Sequence, residues 1–429
     1  MYLMQEGIKE MFLSNGLQVV HMKDLNVNNV LIKLFVKVGS VYESSKNNGI
    51  SHFNEHMLFE GTRNRNTLDI MGEIERNGGE INAFTKIEFT QYSIGVPANC
   101  LEIALDVLSD IIINSLFSKK GIEKQRNVII MEREEQLDDL SRNLYTSLLG
   151  ISYKHNPISY PVVGWRDTIS QISRKDIFKH YKKYYVPQNA VLMLYGNFEE
   201  LSALELISKY FSKWVGNTIS CKDIKEPIFH PSIFIEKSDR SRVKALMMWD
   251  GLNYSNIKQY NCGYTIGSNI LNNHLKNVLR FDKGLVYDVY VTDNPYSNAG
   301  HYMLGFNTDR RNLIECLKII EDIISHRIPL DIFERSKNLF IESRKKDKVI
   351  ELNEYANSIL YGHPYESFEE YIERATATQI WDVDAAANHI FSKKFSLGIS
   401  GNVTLQLENE IKDYYQKIKA VDCELNPKS

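Results

Sequence analysis

Residues 50–62 read ISHFNEHMLFEGT. Two histidines, His52 and His56, stand four apart, with Glu55 immediately before the second. On a helix, positions i and i+4 share one face about a turn apart, so both imidazoles can be aimed at one point. Zinc takes imidazole nitrogen and carboxylate oxygen and, in catalytic sites, leaves a position open for water. The ion lowers the pKa of that water, and a neighbouring carboxylate such as Glu55 can take its proton as a carbonyl is attacked. The HxxEH order is the reverse of the HExxH pattern. Five residues alone also arise by chance, on helices whose histidines are surface or hydrogen-bonded groups. Here Phe53, Met57, Leu58 and Phe59 flank the polar residues, so the helix is expected to pack inside. Burying several ionisable groups without partners is costly, and a bound cation relieves that cost.

A third ligand must come from elsewhere. IEKQRNVIIMEREEQLDD, starting at Ile122, offers Glu132, Glu134 and Glu135 on one predicted helix. Spacing does not choose among them.

The surrounding elements follow from periodicity and punctuation. Short apolar, β-branched runs at Leu17–Met22 and Val30–Val38 predict strands, the first after the Asn15-Gly16 turn and the second ending at Gly39. Ser51 is placed to cap the helix that carries the histidines. A second helix is predicted over 67–76, broken by Gly78-Gly79, with strands at Glu80–Thr85 and Phe89–Val96. Helices are expected over 98–114, over 119–149 and over 174–185, then an apolar strand in NAVLMLYGNF, residues 189–198. Two echoes appear later. VKALMMWDG at 243–251 resembles LIKLFVKVG at 31–39, and KFSLGISGNV at 394–403 resembles NAVLMLYGNF. They predict two related α/β halves, residues 1–215 and 232–429, joined by a linker at 216–231.

Composition narrows the function classes. With 51 basic and 54 acidic side chains and a net charge of -3, there is no concentrated positive field to mark a nucleic-acid binder. No apolar run reaches the roughly 18–20 residues of a membrane span. The start, MYLMQEGIKEMFLSNGLQVV, has neither a signal-peptide core nor an Arg-rich transit character. Five dispersed cysteines, Cys100, Cys221, Cys262, Cys316 and Cys423, form no CxxC pair and suggest a reducing compartment.

HFNEHMLFEGT resembles the inverted zinc signature of the insulinase and pitrilysin family, which includes short bacterial members and the β subunit of the mitochondrial processing peptidase. ERNGGEINAFTKIEFTQYSIGVP (75–97), IEKQRNVIIMERE, HNPISYPVVGW (155–165), YYVPQNAVLMLYGNF (184–198) and LRFDKGLVYDVY (279–290) resemble further family segments. The resemblance thus spans nearly the whole chain.

It implies an α+β protein of two similar α/β units, each a mixed sheet flanked by helices, acting as a zinc metalloendopeptidase. His52, His56 and Glu132, the last 76 residues after His56, match the zinc ligands, for one Zn2+ per chain, and Glu55 matches the general base. Gly79, Asn82 and Ala83 match an edge strand that pairs with an extended substrate, a mode that gives affinity with little sequence demand. Arg280 and Tyr287 match a pair that contacts substrate and stabilises the oxyanion. The family carries a second acid seven residues before the third ligand. Here that position is Gln125, uncharged but able to hydrogen-bond, and a support of this kind tunes a metal ligand. Asn54 is also more polar than the usual residue inside the motif.

The second half lacks HxxEH; its counterpart region, 264–280, holds His274 with no acid beside it. The resemblance implies a chamber formed by dimers, admitting peptides or unfolded segments, in a bacterial cytoplasm. One chain bearing both the zinc set and the Arg-Tyr pair favours a homodimer; a heterodimer with a related subunit is the other form. The competing function is a non-catalytic peptide-binding or scaffold subunit, for which Gln125 is the one supporting feature at the site.

Overall fold

A computed structural model describes residues 7–216, 224–239 and 241–425. The first run of elements is β1 (Lys9–Phe12), β2 (Gln18–Lys23), β3 (Asn29–Val36), α1 (Ile50–Leu58), α2 (Thr67–Arg76), β4 (Glu80–Thr85) and β5 (Thr90–Pro97). It continues with α3 (Leu101–Ile113), α4 (Lys119–Asp138), α5 (Leu140–Ser152), α6 (Arg166–Gln171), α7 (Arg174–Tyr184), β6 (Ala190–Gly196) and α8 (Glu200–Phe211). The second run is β7 (Ile233–Lys237), β8 (Arg242–Asp250), α9 (Gly263–Leu275), a helical extension over Lys276–Asp282, β9 (Val286–Pro295) and β10 (Gly300–Asp309). Then come α10 (Leu313–Ser325), α11 (Leu330–Ser343), α12 (Lys348–Tyr361), α13 (Phe368–Ala377), α14 (Ile380–Phe391), β11 (Ser396–Gly401) and α15 (Leu405–Leu425).

The two runs share one plan. The first sheet has the order β1-β2-β6-β3-β5-β4 and the second β7-β11-β8-β10-β9. Laid side by side, β2, β6, β3, β5 and β4 correspond to β7, β11, β8, β10 and β9. Each sheet has a single parallel pair, β2 with β6 and β7 with β11, and is otherwise antiparallel. The two sequence echoes fall on β3/β8 and β6/β11, so they mark a real internal repeat of two mixed sheets flanked by helices.

The compact units are not simple halves of the chain. One comprises residues 1–135, 160–224 and 346–366; the other comprises 136–159, 225–345 and 367–429. Relative to the expected division, α5 packs with the second unit and α12 with the first, and the linker expected at 216–231 lies partly outside the described residues. In the first unit, one face of the sheet joins α1, α3 and α7 in a core holding Leu34, Phe53, Met57, Tyr92 and Leu108. The other face, Val20, Phe35, Val191 and Met193, is covered by Leu352, Tyr355 and Leu360 of α12. Burial on both faces explains why β3 and β6 read as almost continuous apolar runs. In the second unit, Leu144 and Leu148 of α5 lie against β11, where a Cβ on Gly398 would come within 3.0 Å of Leu144.

Two local expectations change. The helix expected over 119–149 is two helices, because Asp139 caps α5 by accepting from Ser141 and Arg142 N–H. The chain leaves the first unit just before that break, after Glu135 in the last turn of α4. The cap of α1 is not Ser51 but Gly49, in a left-handed conformation at φ 94°. The Ser51 hydroxyl instead donates to the Gly39 carbonyl at 3.2 Å.

Gly49 is constrained twice. Besides its positive φ, a Cβ there would stand 2.8 Å from Gly164 Cα and 2.9 Å from the Val163 oxygen. The turn before α1 and the HNPISYPVVGW segment therefore meet backbone to backbone. Gly49→Ala is expected to cost at least about 2 kcal/mol in denaturant unfolding, since left-handed strain and a backbone clash add. Gly164→Ala, on the other side of the same contact, is expected to cost a similar amount.

Candidate metal centre

The N-terminus of α1 needs partners for its first N–H groups. They come from outside the helix. Glu43, fully buried, accepts from Gly49 N–H at 2.7 Å, from Ser51 N–H at 2.8 Å and from Asn48 Nδ2 at 2.8 Å. Burial pushes its carboxyl up to about 7, while these hydrogen bonds pull the other way. The carboxylate also complements the positive end of the helix. Within α1, Phe53 and Met57 are driven into the core, which turns His52 and His56 to the opposite side. Asn54 uses its amide on the Ile50 carbonyl at 2.9 Å; its buried Oδ1 has no partner, and nothing around it explains the choice of Asn.

On that side His52 Nε2 and His56 Nε2 are 3.3 Å apart. Glu132 Oε2 of α4 lies 3.7 Å from the first and 3.6 Å from the second. Zinc bonds of 2.0–2.1 Å in tetrahedral array separate ligand atoms by about 3.3–3.4 Å. The three atoms therefore stand close to the edge lengths of one coordination sphere, and the donor set of two imidazoles and a carboxylate suits a divalent cation. Burial, with His56 beside it, holds the His52 imidazole down at about 3, so its ring is neutral and can act as a ligand. The Glu132 side chain is 37% exposed, which leaves the cluster reachable by water. Glu134 instead pairs with Arg166, and Glu135 is exposed. Geometry thus selects Glu132 from the three acids on α4.

α4 is fixed against α1 by several contacts. Arg126 lies over the Phe53 ring at 5.4 Å and donates to the carbonyls of Ile169 and Ile172, the latter at 2.8 Å. Gln125 Oε1 is 2.8 Å from His56 Nδ1, the place expected for a supporting group. Glu55 is buried on the same helix, and burial raises its carboxyl above the ordinary range. Its Oε2 accepts a 2.5 Å hydrogen bond from Thr85 Oγ1, at the end of β4. The sequence predicts Thr85 as the end of the strand Glu80–Thr85, and nothing local ties it to Glu55.

β4 ends its sheet, as an edge strand must. Asn82 is exposed on it, with its Oδ1 accepting from Ala83 N–H at 2.8 Å; Ala83 is half-buried. Gly79 sits just before the strand, where a Cβ would come within 2.5 Å of the Gly95 carbonyl oxygen, so close packing on β5 accounts for the glycine. Arg280 and Tyr287 lie in the second unit. Its fold brings them together, the guanidinium 5.7 Å from the ring, with Tyr287 67% exposed on β9.

The model for the insulinase family, peptidase family M16, matches residues 18–165, and that for the M16 inactive domain matches residues 171–340. The chain belongs to the insulinase family. Together the two M16 matches span most of its length, and the metal cluster lies within the first. An "Uncharacterized zinc protease YmxG" of Bacillus subtilis is 26% identical over 415 residues, covering 92% of this chain and 99% of that protein. The rat mitochondrial-processing peptidase subunit beta is 32% identical over 240 residues, 52% of this chain and 49% of its own. Among solved structures, an M16 inactive-domain protein from Pseudomonas fluorescens aligns with a TM-score of 0.85 at 17% identity, over 92% of this chain and 98% of that one. A protease from Helicobacter pylori gives 0.80 at 19%, over 92% and 99%. Family membership and the His52–His56–Glu132 cluster together make this insulinase-family protein a zinc metallopeptidase.

Glu43 yields a pH test of how α1 is held. Its folded-state carboxyl titrates near 7, above the ordinary 4.5, so the folded chain binds that proton more tightly than the unfolded one. The stability contribution is present at low pH and lost as pH rises through 7. Between pH 8 and pH 5 the wild type is expected to gain roughly 2–3 kcal/mol relative to Glu43→Gln. Paired denaturant titrations across that range check it, the difference cancelling the histidines common to both proteins.

Proposed function

We propose that this chain is a zinc endopeptidase acting on peptides and unfolded segments, with one ion held by His52, His56 and Glu132. The observation that carries the reading is the 3.3–3.7 Å triangle of ligand atoms beside a buried, hydrogen-bonded Glu55. Zinc held there supplies Lewis-acid chemistry, lowering the pKa of a water and polarising a carbonyl.

The chain's own residues do the rest. Glu55 takes the proton of the attacking water and returns it to the leaving amine nitrogen. Thr85 holds one carboxylate oxygen, Oε2, so that Oε1 carries the proton. The free edge of β4, with Asn82 and Ala83, adds the substrate backbone as a further strand, next to the residue that positions the base. Arg280 and Tyr287 offer a cation and a phenol for a substrate carbonyl or carboxylate. One chain bears both sets of groups, so a homodimer would supply every component without a second gene product. Five dispersed cysteines with no CxxC pair, and the relative in Bacillus, support a bacterial protein of a reducing compartment.

Cleavage of a diverse peptide set, followed by mass spectrometry, tests the reading. Glu55→Gln is expected to lower kcat by roughly 10²- to 10⁴-fold while zinc stays bound. Equal cleavage by both proteins would remove Glu55 from the mechanism, and no cleavage by the wild type would count against a self-sufficient peptidase. Thr85→Val should lower kcat about tenfold, the equivalent of one hydrogen bond to a charged group, with KM and zinc content little changed.

A further inference from the structure

We propose that Glu60 is a positioning residue for the metal, its carboxylate relayed to His56 through the side-chain amide of Gln125. The inference rests on the reading that the cluster holds zinc.

Gln125 is bonded on both sides. Its Oε1 faces His56 Nδ1 at 2.8 Å, and its Nε2 donates to Glu60 Oε1. An ionised carboxylate only accepts, so the amide nitrogen must point to Glu60 and the amide oxygen to the imidazole. The oxygen then accepts from Nδ1–H. This sets the His56 tautomer and leaves the Nε2 lone pair directed at His52 and Glu132. The carboxylate polarises the amide, and chained hydrogen bonds strengthen one another, which makes the imidazole a better ligand.

Glu60 is itself held. Lys124 Nζ contacts the same Oε1 at 2.6 Å, and the Glu60 side chain is only 7% exposed. Gly121, in the first turn of α4, leaves room for it: a Cβ there would sit 3.3 Å from both Glu60 Cβ and Oε2. The negative charge absent at position 125 is thus present one hydrogen bond further out, contributed by the chain just beyond α1.

The test is zinc affinity of the metal-free full chain, measured by competition with a chromophoric chelator, with thermal melts of the metal-free proteins as folding controls. Glu60→Gln and Gln125→Met are each expected to weaken zinc binding about tenfold or more. The double variant should bind within about threefold of the weaker single, because both changes break one chain. Glu60→Asp keeps the charge but shortens the arm, and should lose affinity like Glu60→Gln; it serves if either other variant fails to fold. The proposal is overturned if Glu60→Gln or Glu60→Asp binds zinc within about twofold of wild type. It is also overturned if the two single losses multiply in the double variant, which would mean Glu60 acts independently of the amide. Absence of zinc binding by the wild type would instead sink the metal reading itself.

Discussion

Everything chemical in the first unit depends on keeping α4 at a fixed distance from α1. Two of the ligand atoms come from one helical turn and need only a regular backbone. The third comes from another helix, and a shift of one ångström would open the 3.6 and 3.7 Å separations beyond the reach of one ion. The seam is therefore built from contacts of different kinds: a guanidinium over an aromatic ring, an amide on an imidazole, an ammonium on a carboxylate and a glycine that lets side chain meet helix. The other end of α1 is tied by Glu43 and by the close approach of Gly49 to Gly164. A helix of nine residues would have little stability of its own, and here both ends and the apolar face are fixed by tertiary contacts.

Each sheet in the repeated plan must be covered on both faces. One face is covered by α1, α3 and α7 in the first unit and by α9, α10, α14 and α15 in the second. The other face is covered by α12 in the first unit and by α5 in the second, each from the opposite half of the chain. Within the first unit the coverage is reinforced by polar contacts: Lys348 with Asp24 at 2.9 Å, Lys33 with Asn353 at 2.9 Å and Tyr355 with Glu10 at 2.8 Å. Neither run of the repeat supplies all the layers its own sheet needs, which makes the two halves interdependent for folding.

The sequence made local features legible. A helix carrying His52 and His56, the limits of β4 and the apolar runs of β3 and β6 all follow from periodicity and punctuation within a few residues. What spacing left open was set by groups distant in sequence. In the sequence only resemblance separates Glu132 from Glu134; in the structure Arg166 engages Glu134. Ser51 looked like a cap because serine before an apolar run normally is one, but Glu43, eight residues earlier, meets the helix first. Thr85 reads only as a strand terminus, and nothing in the local sequence marks Glu60. The helical pattern on either side hides the cap at Asp139, which divides the predicted helix in two.

The two edge strands show one plan with and without a metal cluster beside it, among the described residues. β4 and β9 occupy the same place in their sheets, each leaving one side unpaired. An unpaired edge is a liability unless it is short, shielded or used. In the first unit the edge ends in Thr85, which grips Glu55, so a peptide added to β4 would be aligned by the same strand that fixes the base. In the second unit the edge begins at Val286 and carries Tyr287 beside Arg280, with no metal cluster among the described residues. The second unit has the unpaired edge, while α9, the counterpart of α1, has only His274 where the first unit has two ligands and an acid. An edge without a metal cluster is possible because strand pairing and metal binding make separable structural demands. An edge strand needs only its free N–H and C=O groups to recognise an extended chain, whereas a catalytic ion needs three side chains converging from two helices.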